Sequence, residues 1–485
     1  MKRMVVLVYL FISIWIIAGY CVPGEALEKP TQVNQEDSQL VETSSSRTTS
    51  AALRPEDFTY LGAFRLPDDG DRPNTFAYGG EAMTFNPSGD PNGPSDGFPG
   101  SLFVMGHNRI PYGELPEGNK IAEITIPVPK KSRLVSDLNQ AEFLQPFSNI
   151  DAGYFFNLDE IPRVGMQYLD NPATGPIIHI TWGQHFQEDS AFMVPSQAWF
   201  ATDLSSPNTQ GSWYIGNQSF YSTNDYLFEI PLEWAEPYLG GFPLATGRFR
   251  DGGWSGMGPC LFAYCPWIDD HGTPAESGSR LEEKVLLLYE SSLNTPNITR
   301  CLNDYQHGDE WTGGAWITTP SGKNAVLFAG TKSSGDLYWY GYLHPDGPEY
   351  ACVEKEFIGQ FTLCRLADGT PYPDERSAVC SNPTSNRGWW SSRFNARFIL
   401  YDPMDLIKVA TGELESYQPQ PYTFLDIDDH LFLNPIGIEL EMLGTGVQRR
   451  YRLGDITYDR ANGLLYVLEL FADEAKPVIH VWQIQ

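Results

Sequence analysis

The chain has 485 residues, of which 41% are hydrophobic and 13% aromatic, which is enough apolar material for a large core. Its formal net charge of -29 and pI near 4.5 argue against the class of proteins that bind nucleic acid by neutralising phosphates. The 45 glycines and 37 prolines are typical of a fold with many turns and few long helices.

The N-terminal region is predicted to lie outside the folded domain. Residues 1–26 begin with Lys2 and Arg3 and continue into an apolar stretch too short to span a membrane, the pattern of a secretory signal peptide. Residues 27–54 are polar and predict a disordered linker. The alternative is a lipid anchor at Cys21, although Tyr20 stands where lipoprotein signals have a small residue. We expect a secreted or periplasmic protein, with a lipid-anchored cell-surface protein as the alternative.

A degenerate four-strand unit recurs along residues 55–485. Each unit opens with a strand beside a glycine, at 80–85, 165–168, 256–262, 314–317 and 454–458. Second strands are predicted at 101–105, 177–182, 284–289, 325–330 and 464–468, third strands at 121–127, 226–231 and 398–403, and fourth strands at 141–147, 244–249 and 422–427. Such repeats predict an all-β propeller with long loop insertions and five blades. Six or seven blades, or an ordinary β-sandwich, are the alternatives.

The last unit has only three strands of its own. Asn462-Gly463 tolerates positive φ and therefore indicates a hairpin between the first two of them. The third strand leaves an open edge, which folded proteins cover. Residues 57–67 are predicted to pair beside 477–484, so that the N-terminal strand completes the last blade and closes the ring. Ring closure in turn predicts that Glu81 and Asp455, each following an opening glycine, lie close together.

Six cysteines remain beyond Cys21, and all six are clustered between residues 260 and 380. They are Cys260, Cys265, Cys301, Cys352, Cys364 and Cys380. An even number in an exported chain predicts disulfide bonds, which here would hold insertions in place, but six cysteines allow fifteen pairings and the sequence does not choose among them.

The glycine openings near 80 and 454, together with the terminal closure, resemble the β-propeller superfold. The stretch 397–403 and the chain ending are similar to uncharacterised secreted bacterial proteins, and no named enzyme family is recognised. The resemblance covers about residues 57–484 and concerns the fold rather than the function. Five-bladed propeller glycosidases resemble this arrangement in using three acidic residues from different inner strands. Here Glu81 stands where that family has Asp, and no full motif surrounds Asp251 or Glu310, so no catalytic role is carried over.

Residues beside the strand openings are predicted to converge on one mouth of the central channel. The candidate ligand-binding residues are Glu81, His107, Arg109, His185, Asp251, Trp254, Glu310, Trp311, Arg393 and Asp455. Converging carboxylates suit Ca²⁺ or an acid and base pair of a glycosidase. The alternative is that they accept hydrogen bonds from backbone amides and arginines at strand ends. Glu81 and Asp455 would repel each other unless a positive charge lay between them. Arg65, Arg109 and Arg452 are the side chains that could supply it in a structural role, and Ca²⁺ is the functional alternative.

The predicted function is that of an exported β-propeller that binds an extracellular glycan or other polymer at the channel mouth. The alternative is a hydrolase of the glycoside hydrolase type, which would also need two carboxylates at a defined separation. No nucleic acid partner is expected, and a membrane contact is expected only through a lipid anchor at Cys21.

Overall fold

The computed structural model describes residues 52–68, 70–91, 93–107, 119–155, 162–184, 194–218, 223–250, 256–291, 300–339, 343–344, 347–348, 354–358, 361–365, 368–369, 371–372, 389–433 and 453–485. Their strands form small sheets arranged as the five blades of a propeller, as predicted. No helix in these ranges is long and apolar enough to cross a membrane.

Blades 1 and 2 are antiparallel sheets whose strands follow chain order from the inside outward. The first strand of the chain, β1 (Phe58–Arg65), belongs to the last blade. Blade 1 contains β2 (Met83–Asn86), β3 (Ser101–Met105), β4 (Lys120–Thr125) and β5 (Phe143–Asn149). Blade 2 contains β6 (Pro162–Asn171), β7 (Gly175–Gln184), β8 (Gln197–Ala201) and β9 (Gln210–Ile215).

Blade 3 has short strands and a helical connection. Its elements are β10 (Leu227–Glu229), α1 (Leu232–Leu239), β11 (Leu244–Thr246), β12 (Leu261–Tyr264) and β14 (Glu283–Leu287). The two-residue strand β13 (Arg280–Leu281) pairs in parallel with β9 and so extends blade 2. Helix α1 ends at Gly240, whose φ of 68° is the left-handed conformation that favours glycine.

Blade 4 carries a long insertion between its second and third strands. The blade itself contains β15 (Glu310–Thr318), β16 (Asn324–Trp339), β22 (Trp389–Tyr401) and β23 (Thr423–Asp426). The insertion contains β17 (Leu343–His344), β18 (Gly347–Pro348), β19 (Glu354–Ile358), β20 (Phe361–Arg365) and β21 (Pro371–Tyr372). Helix α2 (Pro403–Ala410) joins β22 to β23 and begins after Asp402, whose side chain accepts a hydrogen bond from the amide of Met404.

Blade 5 closes the ring in the predicted way. It contains β24 (Leu453–Asp459), β25 (Leu464–Asp473) and β26 (Lys476–Ile484), and β1 is its outer strand. Strand β1 pairs antiparallel with β26 from Phe58 opposite Ile484 to Arg65 opposite Val478. The inner strands β2, β6, β10, β15 and β24 contact one another in that order around a closed ring.

The outer edge of β1 is covered by the connection between β4 and β5. Ala63 exchanges backbone hydrogen bonds with Lys130 at 3.0 and 2.9 Å. The connection lies so close that a Cβ at Gly62, which has φ of 134°, would be 2.5 Å from the carbonyl carbon of Lys130. This contact satisfies amide and carbonyl groups that an open edge would leave exposed.

The sequence assigned the strands of blade 3 incorrectly. The sequence predicts that residues 256–262 form the inner strand of blade 3. In the structure β10 is the inner strand, although the sequence places this segment as the third strand of blade 2. The stretches 244–249 and 284–289 accordingly supply the second and outer strands, and β8 and β9 complete blade 2. No glycine opens the three-residue β10, whereas Gly256 and Gly258 adopt φ of 95° and 149° and lie against Tyr289.

Apolar side chains fill the interfaces between neighbouring blades. Representative buried pairs are Phe103 and Met166 between blades 1 and 2, Trp213 and Phe262 between blades 2 and 3, Tyr226 and Phe328 between blades 3 and 4, Phe398 and Trp482 between blades 4 and 5, and Phe85 and Tyr466 between blades 5 and 1. Burial of these faces on both sides of each sheet holds the ring together.

Three of the six cysteines expected to form disulfides are free thiols. Cys260 is fully buried, and Cys265 and Cys301 are partly buried. The disulfide prediction is therefore wrong for these three. Burial raises the pKa of the Cys260 thiol to about 12, so this cysteine behaves as a small apolar side chain. Cys352, Cys380 and the side chain of Cys364 lie outside the described residues.

Candidate functional site

The site is built at one end of the ring, here called the upper mouth, where the five inner strands begin. Because each inner strand is antiparallel to the second strand of its blade, the second strands end at this same mouth. The pairing of Gly79 with His107 in blade 1 and of Glu310 with Thr331 in blade 4 demonstrates this arrangement. Residues just before inner strands and just after second strands therefore meet here.

Asp455 of β24 lies near the axis of the ring. Its Oδ2 accepts a hydrogen bond from the amide of Met83 in blade 1 at 3.1 Å, and its Oδ1 accepts one from the amide of Ile456 at 2.8 Å. The amide of Met166 in blade 2 also donates to it. One carboxylate thus connects the inner strands of three blades.

The electrostatic setting of Asp455 is that of a buried acid. Its side chain has no exposed surface, and burial raises the pKa of its carboxyl well above the usual value. The three backbone amides lower this pKa in part, and the charge of Asp225 in blade 3 raises it again. Asp455 is therefore a buried acceptor that ties inner strands together, and a ligand in the mouth would not reach it directly.

The backbone brings Glu81 close to Asp455, as ring closure requires. A Cβ at Gly454 would lie 2.3 Å from the carbonyl oxygen of Gly80, so the residues before the two acids are in direct contact. Glu81 is 4% exposed. Arg65, a candidate to neutralise the pair, instead lies 3.7 Å from Asp473 in an ion pair within blade 5. For Asp455 the compensation comes from backbone amides.

Blade 3 contributes buried charged residues that the sequence did not single out. Asp225 lies two residues before the inner strand β10 and accepts a hydrogen bond from the amide of Phe249 at 3.1 Å. Arg248, two residues after the end of β11, is 1% exposed. Both were missed because β10 and β11 had been assigned to blade 2. Correct strand assignment would have placed both residues at the upper mouth.

Blade 4 contributes a buried ion pair just below the mouth. Lys332 donates to both carboxylate oxygens of Asp309, at 3.0 and 3.1 Å, and the amide of Ser333 donates to the same carboxylate at 2.9 Å. Burial raises the pKa of Asp309, and the charge of Lys332 acts in the opposite direction. Lys332 continues the predicted second strand 325–330 by two residues, so extending that strand would have located it.

An open sector of the mouth lies across blades 3 and 4, and we define it by Arg250, Glu310, Ser334, Arg393 and Asn395. Arg250 and Glu310 form an ion pair between the blades with an N–O separation of 3.5 Å, and their side chains remain 16% and 13% exposed. Arg393 is exposed, and its Nε donates to the hydroxyl of Ser334 at 3.2 Å. The Ser334 hydroxyl in turn donates to Asn395 at 2.7 Å.

The remaining predicted residues divide into two groups. Trp311 is fully buried in the core between blades 3 and 4, and His107 is 2% exposed with its Nδ1 2.7 Å from the carbonyl oxygen of Ala77. Four predicted site residues lie outside the described part of the chain, namely Arg109, His185, Asp251 and Trp254. Within the described part, no group of three or more His, Cys, Asp or Glu side chains is arranged to hold a metal ion.

Comparison with known proteins gives likenesses of low similarity. Neither protein-family models nor curated proteins match the chain. Among solved structures, a candidate exo-β-1,3-galactanase from Bifidobacterium bifidum s17 has 10% identity and a TM-score of 0.36, covering 88% of this chain and 96% of that one. A candidate glycoside hydrolase from Parabacteroides distasonis ATCC 8503 has 12% identity and a TM-score of 0.35, covering 89% and 99%.

A third solved structure comes from the GH130 family of mannoside phosphorylases, which contains glycoside hydrolases that target β-1,2 mannosidic linkages in Candida mannan. It has 11% identity and a TM-score of 0.33, covering 88% of this chain and 94% of that one. With scores this low, none of these likenesses transfers a residue or an activity. The propeller assignment rests on the sheets of this chain.

Proposed function

We propose that the protein is exported and binds an extracellular glycan at the open sector of the upper mouth. The observation that carries the proposal is the partly exposed Arg250 and Glu310 pair, which joins two blades at 3.5 Å. Sugar hydroxyls donate and accept hydrogen bonds, so adjacent guanidinium and carboxylate groups suit them. Arg393 and Asn395 add an exposed donor group and an amide on the same side of blade 4.

Binding is favoured over hydrolysis by the engagement of the buried carboxylates. A glycosidase needs one carboxyl group as acid and another as base or nucleophile, separated by roughly 5–10 Å across the substrate. Asp455 is occupied by backbone amides, Asp225 accepts from the amide of Phe249, and Asp309 is paired with Lys332. These groups support the architecture of the mouth. Export is supported by the signal-like pattern of residues 1–26.

Affinity electrophoresis on a panel of soluble polysaccharides tests the proposal. The wild-type protein should be retarded by at least one polysaccharide, and Glu310→Gln and Arg250→Gln should each weaken that binding about tenfold, as expected for loss of a charge-assisted hydrogen bond. Lys284→Gln, on the outer strand of blade 3, is the matched control and should bind normally. Release of reducing ends during incubation would assign hydrolysis instead. Retardation by no polysaccharide, or equal retardation of all variants, would contradict the proposal.

A further inference from the structure

A cavity lies beside β1, the outer strand of blade 5. This rim cleft has a volume of about 560 Å³ and is lined by Phe58, Thr59, Tyr60, Lys131, Ser132, Arg133, Asp429 and His430. Blade 5 supplies the β1 residues, the β4–β5 connection of blade 1 supplies residues 131–133, and the turn after β23 supplies the last two. Its volume falls in the range of roughly 300–1,000 Å³ that is usual for small-molecule sites.

The wall of the rim cleft is fixed by a buried hydrogen-bond chain. The Tyr60 ring stacks on His430 with centroids 4.1 Å apart, and its hydroxyl lies 2.9 Å from Nδ1 of His480. The Nε2 of His480 lies 2.8 Å from Oε2 of Glu469, which also accepts from the amide of Phe432. Because His480 and Glu469 are almost completely buried, Tyr60 is held in one orientation before any ligand arrives.

The cations of the rim cleft are available to a ligand. Lys131 and Arg133 are exposed, and within the described part of the chain neither makes an ion pair or a side-chain hydrogen bond. The adjacent Lys130, by contrast, donates to the carbonyl oxygen of Asp137 at 3.1 Å. In a protein of net charge -29, two such cations beside a cavity create a local site for a negative group. The exposed Asp429 is the acidic residue of the lining.

Two features of the lining select the kind of anion. The guanidinium group of Arg133 can donate two parallel hydrogen bonds to two oxygens of a carboxylate or of a sulfate ester. The partly exposed ring of Phe58 offers an apolar surface to the face of a sugar ring, next to the Tyr60 ring that stacks on His430. We propose that the rim cleft binds a pyranose that carries an anionic group, either a carboxylate or a sulfate ester. This site is independent of the glycan site at the upper mouth.

Isothermal titration of the full chain at low salt tests this inference with glucuronate, glucose 6-sulfate, glucose and inorganic sulfate. At least one anionic sugar should bind, glucose should give no heat, and high salt should weaken binding several-fold. Binding of glucuronate would identify the anionic group as a carboxylate, and binding of glucose 6-sulfate would identify it as a sulfate ester. Binding of glucose as tight as that of the anionic sugars, or no binding of either anionic sugar, would overturn the inference. Inorganic sulfate that binds as tightly as both sugars would overturn it too, because the sugar ring would contribute nothing.

Variants separate the rim cleft from the upper mouth. Arg133→Gln should weaken binding of the anionic sugar about tenfold and Lys131→Gln about threefold, as expected for the loss of a bidentate and a point-charge contact. Both side chains are exposed, so the melting temperature should not change. Lys284→Gln removes a positive charge elsewhere and should bind the anionic sugar with wild-type affinity. Glu310→Gln changes the upper mouth and should leave binding of the anionic sugar at the rim cleft unchanged. An Arg133→Gln variant with wild-type affinity would refute the assignment.

Discussion

Replacing Asp455 tests whether the centre of the ring depends on one carboxylate. Asp455→Ala leaves the amides of Met83, Ile456 and Met166 without their acceptor in a place closed to water. Each unsatisfied buried donor costs about 1–3 kcal/mol. Removing a buried acid offsets part of this loss. We therefore expect the free energy of unfolding to fall by about 3–5 kcal/mol.

Asp455→Asn is the finer perturbation. Met83 and Ile456 donate to different carboxylate oxygens, so the side-chain NH₂ group of asparagine must face one of these donors, at a cost of about 1–3 kcal/mol. Urea denaturation followed by tryptophan fluorescence measures both variants. Asp426→Asn is the control, because Asp426 is 37% exposed and its pair with Arg397 lies at the surface; it should cost about 1 kcal/mol or less. If Asp455→Ala unfolds at the wild-type urea concentration, the reasoning is refuted.

The pH dependence of the same variants has a definite sign. Burial raises the pKa of Asp455 above its unfolded value, so the folded state binds the proton more tightly. The stability contributed by this group is then fully present below the unfolded pKa and is lost as pH rises through the folded pKa. Asparagine has no such dependence. The difference in unfolding free energy between wild type and Asp455→Asn should therefore shrink from acid towards neutral and higher pH, and a difference that grows over that range would contradict the assignment.

Three further outcomes are expected. Burial lowers the pKa of His179 to about 3, so the free energy of unfolding of the wild type should fall as pH drops below about 6.5. In His179→Phe, denaturation at several pH values should show a smaller decrease of this free energy. Gly62→Ala, which drives a Cβ into Lys130, should lower the melting temperature more than Gly97→Ala, where the same left-handed backbone meets open space; equal shifts would contradict the packing argument. Deletion of β1 should abolish cooperative melting in calorimetry, and a wild-type transition would disprove its role in closure.

The fold could be predicted from the sequence where the signals were local. The hairpin at Asn462-Gly463 and the unpaired last strand were sufficient to place β1 beside β26. Blade 3 could not be assigned in this way. Its inner strand is three residues long, and the glycines at 256 and 258 serve a close approach to Tyr289 rather than a strand opening.

The closeness of Glu81 to Asp455 could be predicted from the sequence, but the burial of Asp455 could not. Ring closure brought Glu81 near Asp455, because adjacency follows from the order of the strands. The burial of Asp455 depends instead on amides supplied by Met83 and Met166, which belong to two other blades. The sequence contains no spacing that reports such a contact. The rim cleft was missed for a similar reason, since three blades supply its lining.

The pairing of Phe58 with Ile484 also constrains how the chain reaches its native state during synthesis. Strand β26, the partner of β1, comes after the first four blades in the sequence, so the ring stays open until β26 has been synthesised. Until then Phe398 of blade 4 has no Trp482 to pack against. Contacts between such distant segments slow folding, and an open ring exposes apolar faces to aggregation. Chaperones that cover these apolar faces until β26 is available should therefore raise the yield of folded protein.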